Sequence, residues 1–137
     1  MPSFTIAGAL SLAVLAGKAV ADCASYGIDF QDGGSYFQNI TSTDDFSFAS
    51  VFEGCQPDVC NNILVDPNGD EYQCSDTNLT PDDTDQLSTC PMQKDQMWTG
   101  DWSVILISNN GDADPIAYQR DFSLTVASPI TETVSSF

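Results

Sequence analysis

The chain has 137 residues, with 3 Lys and Arg against 20 Asp and Glu, no His, and a formal net charge of −17. Such a chain lacks the cations that neutralise phosphates, which excludes nucleic acid as a partner and disfavours anionic membrane surfaces. The absence of His removes Ser-His-Asp and Cys-His catalytic machinery as well.

Residues 1–21 read as a secretory leader. An apolar run begins at Ile6 and is followed by Ala19-Val20-Ala21, an A-x-A cleavage site ahead of Asp22. The run is too short for a membrane anchor, which needs roughly 18 or more apolar residues, so no membrane span is expected after leader removal. The expected product begins at Asp22 and keeps all 20 acidic residues. Its only cations are Lys94 and Arg120, so it carries −18. It has the length for one domain with one modest core, expected over 22–127.

The domain reads as strands in chain order. Residues 26–30 and 35–40 flank Gln31-Asp32-Gly33-Gly34, whose glycines supply the positive φ of a tight hairpin. Residues 46–52 alternate, with Phe46, Phe48 and Phe52 on one face. Residues 62–65 and 71–74 flank the turn Asp66-Pro67-Asn68-Gly69-Asp70. Residues 75–99 hold Asp76, Asp82, Asp83, Asp85, Pro81 and Pro91 and read as a long surface excursion. In residues 102–108, Trp102, Val104 and Leu106 face inward. Ile105 and Ile107 on the other side suggest a central strand covered on both faces. Residues 116–118 and then 121–127 follow, with Phe122, Leu124 and Val126 on one face. No stretch of the expected product keeps helical periodicity over three turns. The pattern predicts an all-β, two-sheet antiparallel β-sandwich, jelly-roll-like and disulfide-stabilised. Residues 128–137 are Ser/Thr-rich with one Pro and read as a tail, either an O-glycosylated stalk or a frayed end.

Cys23, Cys55, Cys60, Cys74 and Cys90 all follow the leader, so they read as disulfides rather than metal thiolates. Two bridges and one spare thiol are expected. The favoured pairs are Cys74–Cys90, which closes the acidic loop, and Cys23–Cys55, which pins the N-terminus, with Cys60 spare. Cys55–Cys60 with Cys23 free is the competing arrangement. Asn39-Ile-Thr41 and Asn78-Leu-Thr80 are N-glycosylation acceptors in an exported chain.

Asp66, Asn68 and Asp70 have the oxygen spacing that opens a calcium loop. The glycine comes two positions early for an EF-hand, and the same residues suit a strand-connecting turn. Calcium is the one cofactor the sequence suggests. Trp98, Tyr72 and Tyr118 are the aromatics available as flat platforms for a sugar, Trp98 foremost because it precedes the Trp102 strand. Aspartate pairs alone do not define a glycosidase, and no catalytic residues are assigned.

The run Gly100-x-Trp102-x-Val104-x-Leu106, the loop 109–115 and Asp121-Phe-Ser-Leu124 resemble the closing hairpin of galactose-binding-like jelly rolls such as the P domain of proprotein convertases. Leu64-Val65-Asp66-Pro67-Asn68-Gly69 is similar to a turn of those domains. The resemblance implies a fold and no activity. Residues 63–70, 80–90 and Gly100-Asp-Trp-Ser103 resemble small fungal secreted proteins, some of them extracellular Ser/Thr-rich cell-surface proteins. That resemblance implies a protein secreted to the exterior or the cell wall, in a group with no settled activity; with no His and no distinguishable carboxylate pair, a non-enzymatic role is expected. The alternative is a carbohydrate- or ligand-binding module, assisted by calcium, with cell-wall polysaccharide as partner.

Overall fold

A computed structural model describes residues 22–129. The expected leader, residues 1–21, and the expected tail beyond residue 129 lie outside the described residues. The strands are β1 (Ala24–Gly27), β2 (Ser35–Asn39), β3 (Asp45–Glu53), β4 (Val59–Val65), β5 (Glu71–Gln73), β6 (Thr77–Asn78), β7 (Gln86–Gln93), β8 (Gly100–Ser108) and β9 (Ile116–Ala127). A 3-10 turn, Lys94–Gln96, joins β7 towards β8. Two sheets form. The larger runs β2-β9-β8-β4-β5, with β6 also pairing β4, and the smaller runs β1-β3-β7. The fold is an all-β, two-sheet, disulfide-stabilised sandwich.

The core follows from alternation. Trp102, Val104 and Leu106 of β8 and Phe122, Leu124 and Val126 of β9 turn inward, as does Leu64 of β4. Facing them are Phe46, Phe48 and Phe52 of β3, each fully buried. Phe46 and Phe122 stack across the gap at 6.3 Å, so the two sheets share one core. Each such side chain contributes about 1.5–3 kcal/mol by leaving water. β8 is central within its sheet, but its outer face is open: Ile107 is 42% exposed, so the expected cover on both faces is absent.

Three further expectations are corrected. Residues 26–30 and 35–40 do not form a hairpin. β1 pairs antiparallel with β3, while β2 crosses to the other sheet and pairs parallel with β9. The glycine turn is held on β9 instead: Gly33 N donates to Asp121 O, Ser123 N to Gly34 O, and Asp121 N to Asp32 Oδ1. Phe30, at the crossing, packs among Tyr36, Phe46 and Phe122 at 4.9–5.0 Å. Burying that ring wins over the local turn.

The second correction concerns residues 75–99, which are not an excursion. They contain β6 and β7 and bury Leu79, Ser88, Cys90, Met92 and Met97. β7 alternates with Ser and Cys at two inward positions, a pattern too weakly apolar to read as a strand. Pro91 is tolerated there because β7 is an edge strand, and it lies where the register with β3 shifts. Finally, 116–118 and 121–127 are one continuous strand, β9.

Cys23–Cys55 and Cys74–Cys90 are the two bridges, and Cys60 is free and buried. The first ties the ends of the β1–β3 pair. The second fastens β5 of the larger sheet to β7 of the smaller.

Candidate functional site

The Asp66 turn is internally satisfied. Asp66 Oδ1 accepts from the amides of Asn68 at 2.8 Å and Asp70 at 3.0 Å, and Oδ2 accepts from the Tyr72 hydroxyl at 2.8 Å. Asp66 is only 4% exposed. Burial pushes its carboxyl upward, but the Tyr72 hydroxyl and the loop amides outweigh it, and the pKa lies below the ordinary value. Gly69 takes a positive φ of 91° to close the turn. The carboxylate is aimed at its own loop, and Asn68 and Asp70 enter these bonds through their amides. Among the described residues no group of three or more His, Cys, Asp or Glu is placed to hold a metal ion.

The three candidate aromatics do not come together. Trp98, 37% exposed, packs on the buried Trp102 ring at 4.9 Å, and its carbonyl accepts from Trp102 Nε1. Tyr72 lies half-buried against the core with its hydroxyl on Asp66. Tyr118 is half-buried on the inner side of β9, and its hydroxyl donates to Cys23 O. Of the glycosylation acceptors, Asn78 is exposed on β6. Asn39 is half-buried at the end of β2 and accepts from both the amide and hydroxyl of Thr41. The Cys60 thiol is fully buried, and burial pushes its pKa up to about 11.

Chemistry concentrates around Arg120. It lies on the inner side of β9 between Tyr118 and Phe122 and reaches across to the smaller sheet. Nε donates to Phe30 O and Nη1 to Ser50 Oγ, both at 3.0 Å, and the guanidinium carbon sits 5.7 Å from the Phe48 ring centre. Arg120 is 5% exposed. Burial draws its pKa below the ordinary value, opposed by the fields of Asp29 and Asp32. Each of those two carboxylates gives one oxygen to backbone amides. Asp29 Oδ1 accepts from the amides of Phe30 and Ala49, and Asp32 Oδ1 from that of Asp121. The guanidinium fits only because residue 27 is glycine. A Cβ there would stand 2.7 Å from Arg120 Nε and closer still to Phe30 O.

Beside this group a crevice of about 410 Å³ opens along the seam between β1 and β9, lined by Ser25, Tyr26, Gly27, Gln31, Asp32, Tyr118, Gln119 and Arg120. Two buried side-chain polar atoms have no hydrogen-bond partner among the described residues, Ser25 Oγ and Arg120 Nη2. Both belong to residues of this one crevice. Ser25 pairs with the fully buried Phe52 across β1–β3 and so shares its inward face. Tyr26 is 46% exposed at the mouth, with its hydroxyl on Glu53.

Of the residues singled out from sequence, only Tyr118 lines the crevice. Ser25, Tyr26, Gln31, Gln119 and Arg120 were missed. A signal for one of them existed: extending the inward row Phe122, Leu124, Val126 back by one step places Arg120 inside.

No protein-family model matches the chain, and no curated protein matches it. Among solved structures, CopC from Methylosinus trichosporium OB3b is similar over 79% of this chain and all of its own, with a TM-score of 0.49 and 10% identity. Murine CRIg is similar over the same shares, with a TM-score of 0.43 and 8% identity. At these values neither likeness carries an argument about ligand or activity.

Proposed function

We propose that this chain is an exported, non-enzymatic module that holds a small polar ligand, a sugar unit of an extracellular or cell-wall polysaccharide, in the crevice between β1 and β9. The observation that supports it is the crevice itself, about 410 Å³ and lined by two tyrosines, two side-chain amides and the buried Arg120. Tyr26 and Tyr118 give the crevice rings for sugar faces, and Gln31 and Gln119 give amides that both donate and accept. The leader, the two sequons and the two disulfides fit an oxidising, glycosylating route.

Retention of the folded protein on insoluble chitin, β-glucan, mannan and polyuronate tests this. Retention on at least one polymer is expected, weakened at least tenfold by Tyr26→Ala. No retention on any of them would leave the second reading, a surface protein whose acidic glycosylated exterior is its function, favoured by 20 acidic residues against 3 basic ones. Calcium plays no part in the crevice reading. The thermal midpoint is expected to stay unmoved at millimolar Ca²⁺, whereas a native-state site would raise it.

A further inference from the structure

Resting on the reading of an exported chain, and independent of its crevice, we infer that Asn39 carries an N-linked glycan that covers the open β2 edge of the larger sheet. β2 ends that sheet, and among the described residues β9 is its one strand partner, so its other side offers unpaired backbone donors and acceptors. Edges of this kind are ordinarily blunted by charge, proline or a bulge. β2 has none of these. It pairs with β9 in unbroken register, and residues 33–43 hold no proline and no charged side chain, in a chain with 20 acidic ones. Phe37 is 57% exposed and Ile40 43%, so the edge is apolar as well. An uncharged, proline-free strand with apolar surface is a template for pairing with a second chain.

The sequon Asn39-Ile-Thr41 stands where a glycan can shield this surface. Asn39 is two positions from Phe37, on the same face of the strand, and Ile40 follows it directly. It is the last residue of β2, and Ser42 N donates to Asn39 O as the chain turns away. Asn39 Oδ1 accepts from the Thr41 amide at 2.9 Å and hydroxyl at 2.7 Å, which fixes the other end of the carboxamide as Nδ2. The buried side-chain atoms without a partner are Ser25 Oγ and Arg120 Nη2, so Nδ2, which donates to no described residue, reaches solvent. The second sequon is held differently. Asn78 lies opposite Val59, Leu79 is fully buried with its amide on Asp58 O, and Pro81 restricts Thr80. Leu79 anchors that sequon in the core, whereas the exposed Ile40 leaves 39–41 on the surface. Attachment joins Asn39 Nδ2 to the anomeric carbon of an oligosaccharide carried on a lipid pyrophosphate. Nδ2 gives up a proton, and the pyrophosphate leaves with the electrons of the broken C–O bond.

Expression of the full chain in a eukaryotic secretory host, followed by peptide-N-glycosidase digestion and peptide mass spectrometry, tests the site. Protein from the medium is expected to lose mass on digestion, with Asn39 converted to aspartate. The loss should vanish in Asn39→Gln and in Thr41→Ala and persist in Asn78→Gln. Sedimentation velocity of the folded protein tests the role. The glycosylated parent is expected to run as a monomer. The digested parent and Thr41→Ala should associate at the same concentration, and adding Phe37→Asp to Thr41→Ala should return the monomer. Secreted protein that loses no mass, or whose loss survives Asn39→Gln, overturns the glycan at Asn39 and leaves export and the crevice standing. A chain retained unglycosylated in the cells overturns both the glycan and export. A glycan at Asn39 whose removal leaves sedimentation unchanged, beyond the lost mass, overturns its role as an edge cover.

Discussion

Replacing Arg120 by methionine deprives Phe30 O and Ser50 Oγ of a donor, but it also ends the desolvation of a charge with no ionised hydrogen-bond partner. The second effect is the larger, because buried ionic groups replaced by apolar ones of similar volume are often neutral or stabilising. The thermal midpoint of Arg120→Met is therefore expected to equal or exceed that of the parent. A fall of many degrees would show that the guanidinium is there for stability rather than for a ligand. Gly27→Ala should go the other way and cost about 1–3 kcal/mol through overpacking, because its methyl group would meet Arg120 Nε and Phe30 O. Combining the two substitutions should recover part of that loss, since the residues touch and their effects cannot add independently. Cys60 makes a simpler case. With its thiol buried and its pKa at about 11, it should resist a thiol reagent in the native protein and react once per chain after denaturation.

At the level of elements, the two disulfides differ in what they fasten. Cys74–Cys90 joins the sheets and closes a separation of 16 residues, while Cys23–Cys55 closes 32 within one strand pair. Loop-closure entropy alone sets their removal at about 3 and about 4 kcal/mol. Replacing Cys74 and Cys90 by serine should also loosen β5 against β7, read as faster amide exchange in those strands than the Cys23 and Cys55 double variant shows. β3, β8 and the inward rows of Phe and Leu were legible because they rest on strong period-2 apolar alternation, and the β4–β5 hairpin because of its Asp-Pro-Asn-Gly turn; the two bridges were the favoured pairs, with Cys55–Cys60 left open as a competitor. What stayed hidden depended on distant partners. β7 reads as loop because Ser88 and Cys90 are poor apolar markers until the core encloses them. The glycine turn after Phe30 reads as a hairpin because nothing local reveals that Asp121 will capture it. The crevice was the least legible, since it joins Ser25 and Arg120 from opposite ends of the domain.

Over the whole molecule, acidity shapes stability. Asp58 is held below its ordinary pKa by the amides of Gly111 and Val59. Asp121 is held low by the Ser103 hydroxyl and Gln119 amide, and Asp66 by Tyr72 and its loop. Their contribution is present above the ordinary carboxyl value of 3.8 and is lost as pH falls through the lowered ones. Glu53 acts oppositely: a hydrogen bond shared with Asp83 raises its pKa above 4.5, so its contribution is present below 4.5 and lost as pH rises through the raised value. The midpoint should accordingly be highest on the acidic side, above pH 3.8 and below the point where Glu53 ionises, and fall in both directions. A midpoint that climbs steadily to pH 8 would contradict this balance. The parallel pairing of β2 with β9 carries a different consequence. Tyr36 meets Leu124 across the whole length of the domain, and β2 has β9 as its strand neighbour in the sheet. A fragment ending at residue 115 should therefore show no cooperative melt. A chain emerging N-terminus first cannot close its larger sheet until its final strand is delivered, and pairings so distant in sequence form slowly. The topology thus defers closure of the larger sheet until β9 is delivered, and until then β2 and β8 lack the strand they share.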